Sequence, residues 1–207
     1  MSETIVTLLL IAFAYLFASI SGAIIISKLF KLPSPTEHGS KNPGATNVLR
    51  LAGKKYAAIV LLFDVAKGVV PVLLASLLTG SHSLAAFCGL MAVIGHMFPL
   101  YYRFSGGKGI ATAIGCYFAI HTWLGLSAIV IWLIIYRLFT YSSLSSIIMV
   151  ITTPVVALIL YPNEHITLSL VIMAVLALIK HKDNLHRLKS GQEPKTYFTK
   201  KGRPGRD

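Results

Sequence analysis

The chain alternates between long apolar runs and shorter polar segments. Apolar residues dominate six stretches, at about residues 5–26, 56–79, 84–102, 110–136, 147–161 and 166–180. Most of these runs approach the ~20 residues that an α-helix needs to cross a bilayer. The pattern predicts an all-α integral membrane protein. No internal repeat or second domain is visible, so we expect a single polytopic domain over residues 1–207.

The run at 110–136 is ambiguous in length. It fits either one long tilted helix or two short helices that break near His121-Thr122-Trp123. A re-entrant hairpin within this run would give the same membrane topology as two helices. Hydrophobicity alone therefore leaves six or seven spans.

The placement of Lys and Arg decides between the two counts. With seven spans, every Lys and Arg except Lys67 falls on one side, and residues 1–4, 80–83, 120–123 and 162–165 on the other side carry none. Six spans would place the basic tail opposite the other basic segments, against the positive-inside rule. We therefore predict seven transmembrane helices, with the amino terminus outside and the carboxyl terminus in the cytoplasm.

The first apolar run is predicted to be a retained span. It lacks the preceding positive residues of a secretory signal and is longer than a typical signal core, although Ser19-Ile20-Ser21-Gly22 resembles a cleavage site. Cys88 and Cys116 lie inside apolar runs without a metal-binding or disulfide spacing, so we expect them only to pack.

Composition supports the membrane assignment. Of the 207 residues, 55% are hydrophobic and 13% charged, which is too little polar surface for a soluble globule. The formal charge of +12 would suggest nucleic acid in a soluble protein. In a membrane protein it instead marks the cytoplasmic face and an anionic partner, either lipid headgroups or a substrate, and we expect no nucleic acid partner.

The polar segment Phe104–Gly109 is the first candidate for chemistry. Gly106, Gly107 and Gly109 surround Lys108, and such a turn can bring backbone N–H groups and one mobile positive charge to an anion. A nucleotide-binding Walker loop is excluded, since Tyr102 and Gly109 stand where it needs a glycine and a Ser or Thr. The segment predicts phosphate binding without ATP.

Two further polar segments are predicted to lie on the same side. The segment Gly39–Arg50 combines turn-forming residues with the guanidinium of Arg50. In the segment His181–Glu193, a helix that continues past Lys180 would place His181, Asn184 and Leu188 on one face, with Arg187 adjacent. The alternative for the first segment is a solvated basic loop held near lipid headgroups by its charge, and for the second a basic helix that contacts those headgroups.

Three smaller polar features of the sequence each allow two interpretations. His96, at the cytoplasmic end of a run, either takes part in catalysis or hydrogen-bonds to a neighbouring helix. Asp64 and Lys67, three residues apart inside a span, are either functional charges or an ion pair that fixes helix packing. Tyr141–Ser146 supplies hydroxyl donors or simply caps a helix.

Three motifs together resemble a known family. They are G-S-K-N-P-G-A-T-N at 39–47, G-H-x-F-P with F-x-G-G-K-G-x-A-T over 95–112, and H-x-x-N-x-x-R-L-x-x-G-x-E at 181–193. In this order and spacing they are similar to the bacterial membrane acyltransferases that acylate glycerol 3-phosphate from an acyl phosphate. The histidine-x4-aspartate box of other glycerolipid acyltransferases is missing. Leu185 and Ile110, where Ile and Val are expected, are minor departures.

The resemblance implies a seven-helix enzyme of the bacterial inner membrane, without cofactor or metal. It would acylate the 1-hydroxyl of glycerol 3-phosphate, release phosphate and start phospholipid synthesis. Its partners would be both substrates, membrane lipids and the soluble enzyme that makes acyl phosphate. The implied catalytic residues are Lys108, Arg50, His181, Asn184 and Ser40. The implied substrate-binding residues are Asn42, Asn47, His96, Gly106, Gly107, Gly109, Ser146, Arg187 and Glu193.

A transporter of an organic phosphate is the main alternative. Several spans and basic half-buried loops would suit it equally, but it predicts motifs near the bilayer midplane and inverted repeats, and neither is visible. A structural or lipid-binding membrane protein would explain the charge but not the glycines around Lys108.

Overall fold

The chain is helical throughout the part that the structure describes. The computed structural model describes residues 2–162 and 164–197, so four basic residues of the tail, Lys200, Lys201, Arg203 and Arg206, lie outside it. The described residues form ten α-helices, a 3-10 turn at Leu100–Tyr102 and no β-strand. The helices are α1 (Glu3–Ala18), α2 (Gly22–Leu29), α3 (Ala45–Ala52), α4 (Lys54–Thr79), α5 (His82–Met97), α6 (Ile110–Ile120), α7 (Thr122–Phe139), α8 (Ser142–Leu160), α9 (Thr167–Lys180) and α10 (Lys182–Lys189).

Among the described residues, four helices, or five segments if one bent pair is counted, are long and apolar enough to span a membrane. Helices α4, α7 and α8, and α5 together with the following 3-10 turn, are long and apolar enough, and α1 with α2 forms a fifth span if the bent pair is counted as one. Helices α6 and α9 are apolar but have 11 and 14 residues, short of the ~20 that crossing needs. The all-α membrane class is confirmed, and the count of seven remains a prediction.

The apolar run at 110–136 is divided, as predicted, at His121. Helix α6 ends at Ile120 and α7 begins at Thr122, with His121 in an extended conformation between them. Neither Gly nor Pro stands at the break. The ring of His121 instead stacks on Tyr161 at 3.8 Å and bonds to Glu164, so tertiary contacts hold the chain open at this point.

The first apolar run, predicted as one retained span, bends by 41° between α1 and α2. Ser19 bonds back to the Tyr15 carbonyl and Ser21 caps α2, which leaves the Ile20 carbonyl outside both helices. That carbonyl accepts a hydrogen bond of 3.0 Å from the ammonium of buried Lys67. The break thus supplies a partner for a charge in the membrane region.

Small residues bring α4 and α6 close together. A Cβ on Gly68 of α4 would overlap the carbonyl of Thr112, and one on Gly115 of α6 would overlap the carbonyl of Val65. Such small-residue interfaces let helix backbones approach closely in membranes. The contact sets the start of α6 beside Asp64 on α4.

The outside of the bundle is apolar. Large side chains such as Leu62, Leu77, Leu133, Ile159 and Leu168 are more than half exposed. A soluble protein rarely exposes this much contiguous apolar surface. The surface belongs in the hydrocarbon layer, as in a multi-pass membrane protein.

Candidate active site

The three polar segments converge on one cavity of about 580 Å³. Helix α3 and the loop before it form the first wall. The glycine-rich turn and the start of α6 form the second wall. Helix α10 and the irregular segment that follows it form the third wall. The predicted residues that line this cavity are Ser40, Asn42, Asn47, Arg50, His96, Lys108, Gly109, Ser146, His181, Asn184, Arg187 and Glu193. The convergence predicted from charge and topology is therefore present.

The other end of the cavity is apolar. Its lining includes Ala57 and Leu61 of α4, Ile114 of α6, and Ile129 and Leu133 of α7. One continuous space thus joins a cationic end to a hydrophobic end. Such a space fits a molecule, or a pair of molecules, with a phosphate and an alkyl chain.

The cationic end contains the amino terminus of α6. Lys108, Gly109, Ile110 and Ala111 line the cavity where the first N–H groups of that helix have no partner within the helix. Free N–H groups and the helix dipole both favour a bound anion. The turn and the helix together can hold a phosphate beside Lys108.

Glu193 organises the third wall. One of its carboxylate oxygens accepts hydrogen bonds of 2.7 Å from both Ser143 and Asn184, and the other accepts one of 2.8 Å from Arg187. Its side chain is only 4% exposed. These donors hold the pKa of Glu193 below its usual value although burial opposes the charge. Glu193 therefore acts as an anchor for α10 rather than as a free ligand.

Lys108 is held by the same network. Its ammonium donates to the amide oxygen of Asn184 at 2.5 Å, and Asn184 in turn donates to Glu193. Burial lowers the pKa of Lys108 to about 8, with Arg187 and Arg50 also lowering it and Glu193 opposing them. Lys108 is still mostly charged at pH 7, which suits anion binding.

His181 is neutral near pH 7. Burial, with the charge of Lys108, lowers its pKa to about 4. Its Nδ1 lies 2.8 Å from the carbonyl of Ala177, so Nδ1 carries the proton and Nε2 offers a lone pair. His181 lines the cavity and can accept a hydrogen bond from a hydroxyl group there.

The three glycines of the turn mainly permit close packing on α5. A Cβ on Gly106 would overlap the carbonyl of His96, one on Gly107 its Nε2, and one on Gly109 the side chain of Met97. Gly109 also needs its positive φ of 78°. Gly106 and Gly107 lie behind Lys108, outside the cavity lining, whereas Gly109 belongs to it.

Asn47 and Ser146 have partners in the protein. The amide of Asn47 bonds to the Pro35 and His38 carbonyls and to the N–H of Ser40, so it shapes the loop that carries Ser40. Ser146 donates to the Ser142 carbonyl and accepts from Trp132.

The sequence did not indicate the pairing of Asp64 with His96. Nδ1 of His96 lies 3.2 Å from the hydroxyl of Thr112 and 3.6 Å from Asp64, which also pairs with Lys67 at 3.0 Å. The motifs suggested no carboxylate and histidine pair, because Asp64 lies on α4, far from them in the chain. Both Asp64 and His96 line the cavity.

Thr196 was also missed. Arg50 donates to its hydroxyl at 3.3 Å, Tyr136 donates to its carbonyl, and its N–H donates to the carbonyl of Thr140. The chain after α10 therefore returns across the site, and no residue pattern indicates this path. Ser143 bonds to Glu193 and could only have been suspected from the serine cluster.

A bundle of membrane helices whose cavity combines a cationic end with an apolar end is typical of lipid-processing membrane proteins. The model of the glycerol-3-phosphate acyltransferase family matches residues 8–191. The chain belongs to this family, and it is an acyltransferase.

Its relatives are similar over most of their length. The glycerol-3-phosphate acyltransferase of Legionella pneumophila (strain Corby) is 48% identical over 189 residues, 91% of this chain and 68% of the relative. The glycerol 3-phosphate form of PlsY (YgiH), an integral membrane glycerol 3-phosphate acyltransferase, matches with a TM-score of 0.88 and 35% identity, over 92% of this chain and 96% of that one. The lysophosphatidic acid form of the same protein has a TM-score of 0.84 and covers 93% and 96% at the same identity.

Proposed function

We propose that this chain transfers an acyl group from acyl phosphate to the 1-hydroxyl of glycerol 3-phosphate. The products are 1-acylglycerol 3-phosphate, a lysophosphatidic acid, and inorganic phosphate. The observation that carries the proposal is the cavity that joins Lys108, Arg50 and the start of α6 to an apolar space between α4, α6 and α7. The crystal forms of PlsY with glycerol 3-phosphate and lysophosphatidic acid support the acceptor and product.

The residues divide by role. Lys108, Arg50, Ser40, His181 and Asn184 hold glycerol 3-phosphate, its phosphate beside the cations and a hydroxyl at Nε2 of His181. The start of α6 with Gly109, together with Asn42 and Ser146, receives the departing phosphate. Arg187 and Glu193 position Asn184, Asn47 shapes the loop of Ser40, and Gly106, Gly107 and His96 support the turn of Lys108.

The reaction needs no nucleophilic side chain, because an acyl phosphate is already activated. The 1-hydroxyl oxygen attacks the acyl carbonyl carbon, the bond from that carbon to the phosphate oxygen breaks, and the hydroxyl proton goes to a phosphate oxygen. Lys108 and the N–H groups of α6 stabilise the negative charge that develops on the carbonyl and leaving oxygens. Holding both substrates side by side provides much of the remaining rate.

Two features support a substrate phosphate as the base. The pKa of His181, about 4, makes its imidazole a weak base at neutral pH. Nδ1 of His96 already has partners in the protein, because it lies 3.2 Å from the hydroxyl of Thr112 and 3.6 Å from Asp64. A rate profile that follows the ionisation of either histidine and disappears on its neutral replacement would count against this mechanism.

We place the chain in the bacterial inner membrane as one domain with seven crossing segments: α1 with α2, then α4, α5, α6, α7, α8 and α9. The amino terminus is then outside, and the cavity opens on the basic, cytoplasmic side. This orientation faces the site toward soluble glycerol 3-phosphate and toward the soluble enzyme that makes acyl phosphate, to which we expect functional coupling.

The assay that tests the function uses the purified protein in detergent with acyl phosphate and glycerol 3-phosphate. We expect lysophosphatidic acid and phosphate in equal amounts. Lys108→Ala should lower the rate at least about 100-fold, since one charge-stabilising donor contributes that much in other enzymes. Lys189→Ala, which removes an exposed lysine of α10, is the matched control and should leave the rate unchanged.

Two results would contradict the proposal. One is equal activity of the Lys108→Ala and Lys189→Ala proteins. The other is accumulation of glycerol 3-phosphate in vesicles without acylation, the behaviour of a transporter.

A further inference from the structure

Two histidines and a glutamate meet at the helix ends opposite those that form the cavity. His82 begins α5, His121 lies between α6 and α7, and Glu164 lies between α8 and α9. Three loops that are distant in the sequence thus contribute one side chain each. None of these residues belongs to the family motifs or takes part in the proposed reaction.

The three side chains aim at a common point. Nδ1 of His82 lies 2.8 Å, and Nε2 of His121 2.7 Å, from the same carboxylate oxygen, Oε2 of Glu164. The three donor atoms all lie within 4.8 Å of one another. His121 is further fixed by stacking on Tyr161 at 3.8 Å. Two imidazoles and a carboxylate that converge in this way supply three of the four ligands of a tetrahedral zinc site.

Binding of a metal ion would require a local adjustment of the three donor atoms. Tetrahedral ligands at ~2.0–2.1 Å from zinc lie about 3.4 Å apart. The Glu164 oxygen would therefore move away from each ring by well under 1 Å, and the two ring nitrogens, which lie within 4.8 Å of each other, would settle at the same spacing. The two N–H protons that now bond to Glu164 would shift to the other ring nitrogens. Neutral imidazole then ligates through its lone pair.

The charge of the surrounding loops and the exposure of the three side chains also favour binding of a cation. Residues 80–83, 120–123 and 162–165 contain no Lys or Arg, so no basic side chain of these loops repels an ion. The side chains of His82, His121 and Glu164 are 47%, 19% and 25% exposed, which leaves an open path from solvent.

We propose that His82, His121 and Glu164 form a binding site for a divalent cation of the zinc class. The ion links the α4–α5, α6–α7 and α8–α9 connections and stabilises the break at His121. Water completes the coordination shell. This site is structural and independent of the acyltransferase reaction, so its failure would leave the proposed function untouched.

The test is calorimetric titration of Zn²⁺ into the purified, untagged full-length protein in detergent at pH 7. We expect saturable binding that Glu164→Gln and His121→Ala each weaken at least tenfold. Glu164→Gln is the sharper variant, because Gln retains a hydrogen-bond acceptor for the histidines but loses the anionic ligand. His165→Ala, which removes an exposed neighbouring histidine outside the cluster, should bind as the wild type does.

Thermal unfolding gives a second readout. Zn²⁺ should raise the melting temperature of the wild type and of His165→Ala, but not that of Glu164→Gln. If His121→Ala does not fold, His82→Ala replaces it, since His82 is nearly half exposed. Absence of saturable binding in the wild type, or equal binding by wild type and Glu164→Gln, would overturn the proposal.

Discussion

Lys108 illustrates how burial tunes a single charge for its role. The desolvated ammonium has a pKa of about 8, low enough that its charge is lost within an accessible pH range. Asn184 keeps the ammonium aimed into the cavity, and Glu193 keeps Asn184 in place. The cation is therefore positioned through two hydrogen bonds rather than by a direct ion pair, so its charge remains available to a substrate.

The lowered pKa of Lys108 predicts a specific pH profile. Lys108 is protonated below about pH 8, so kcat/KM for glycerol 3-phosphate should fall as the pH rises through about 8, by roughly tenfold per pH unit beyond it. The substrate phosphate, with its second pKa near ~6, keeps a constant charge over this range. Initial rates from pH 7 to 10, corrected for spontaneous acyl phosphate hydrolysis, give the profile.

Lys108→Arg is the matched control, because a guanidinium stays charged throughout that range. Its activity is expected to be lower but flat across pH 8. A wild-type profile that stays level up to pH 10, or an unchanged fall in Lys108→Arg, would show that Lys108 does not supply the charge.

Glu193 gives a second prediction at the scale of residues. Glu193→Ala removes the acceptor for Ser143, Asn184 and Arg187, so Asn184 and Lys108 lose their fixed positions. We expect about a 100-fold loss in kcat, as displacements of ~1 Å in an active site can produce. Steady-state kinetics on the folded variant measure it. Glu37→Ala, at an exposed position between α2 and α3, should be neutral, and equal effects of the two would contradict the anchoring role.

At the scale of elements, the glycine-rich turn acts through its packing on α5. Gly107 donates its N–H to the His96 carbonyl at 3.1 Å and lies against the ring of His96. The turn thus sits directly on the end of a membrane helix and carries Lys108 on its outer side. Glycine is required by this close approach, rather than by contact of every glycine with an anion.

Gly107→Ala should therefore lower activity at least about tenfold by displacing Lys108, because the added methyl overlaps Nε2 of His96. Gly80→Ala is the control. The Gly80→Ala change imposes backbone strain, with a φ of 65°, but nothing lies near the added methyl and the site is distant. Melting temperature and kcat/KM for both variants separate stability from activity. A larger loss of activity in Gly80→Ala than in Gly107→Ala would refute the packing role.

The helices and loops were best predicted where the placement of Lys and Arg agreed with the lengths of the apolar runs. The basic segments located the three walls of the cavity, and the division at His121 followed from charge alternation. The bend at Ile20 could not be predicted, because the group that bonds to the freed Ile20 carbonyl, the ammonium of Lys67, lies on another helix. The return of Thr196 to Arg50 and the approach of Asp64 to His96 likewise depend on how the helices pack.

At the scale of the whole molecule, the two ends of the bundle have opposite character. One end combines the cations with the cavity, and the other has the His82, His121 and Glu164 cluster with no Lys or Arg in its loops. This asymmetry supports the orientation that we propose, since basic segments tend to stay in the cytoplasm. In the proposed reaction, the cationic end of the cavity holds the water-soluble substrate and its apolar end holds the acyl chain.

The claim on which the account depends is that all three polar segments face the cytoplasm together. Single cysteines at the exposed positions Lys41, Ser105 and His186, in a protein whose Cys88 and Cys116 are replaced, test it by labelling with a membrane-impermeant maleimide. In inside-out vesicles all three should react, and cysteines at Ser83 and His165 should react only in right-side-out vesicles. If any one of the three segments labels from the side opposite the other two, the common active site does not exist.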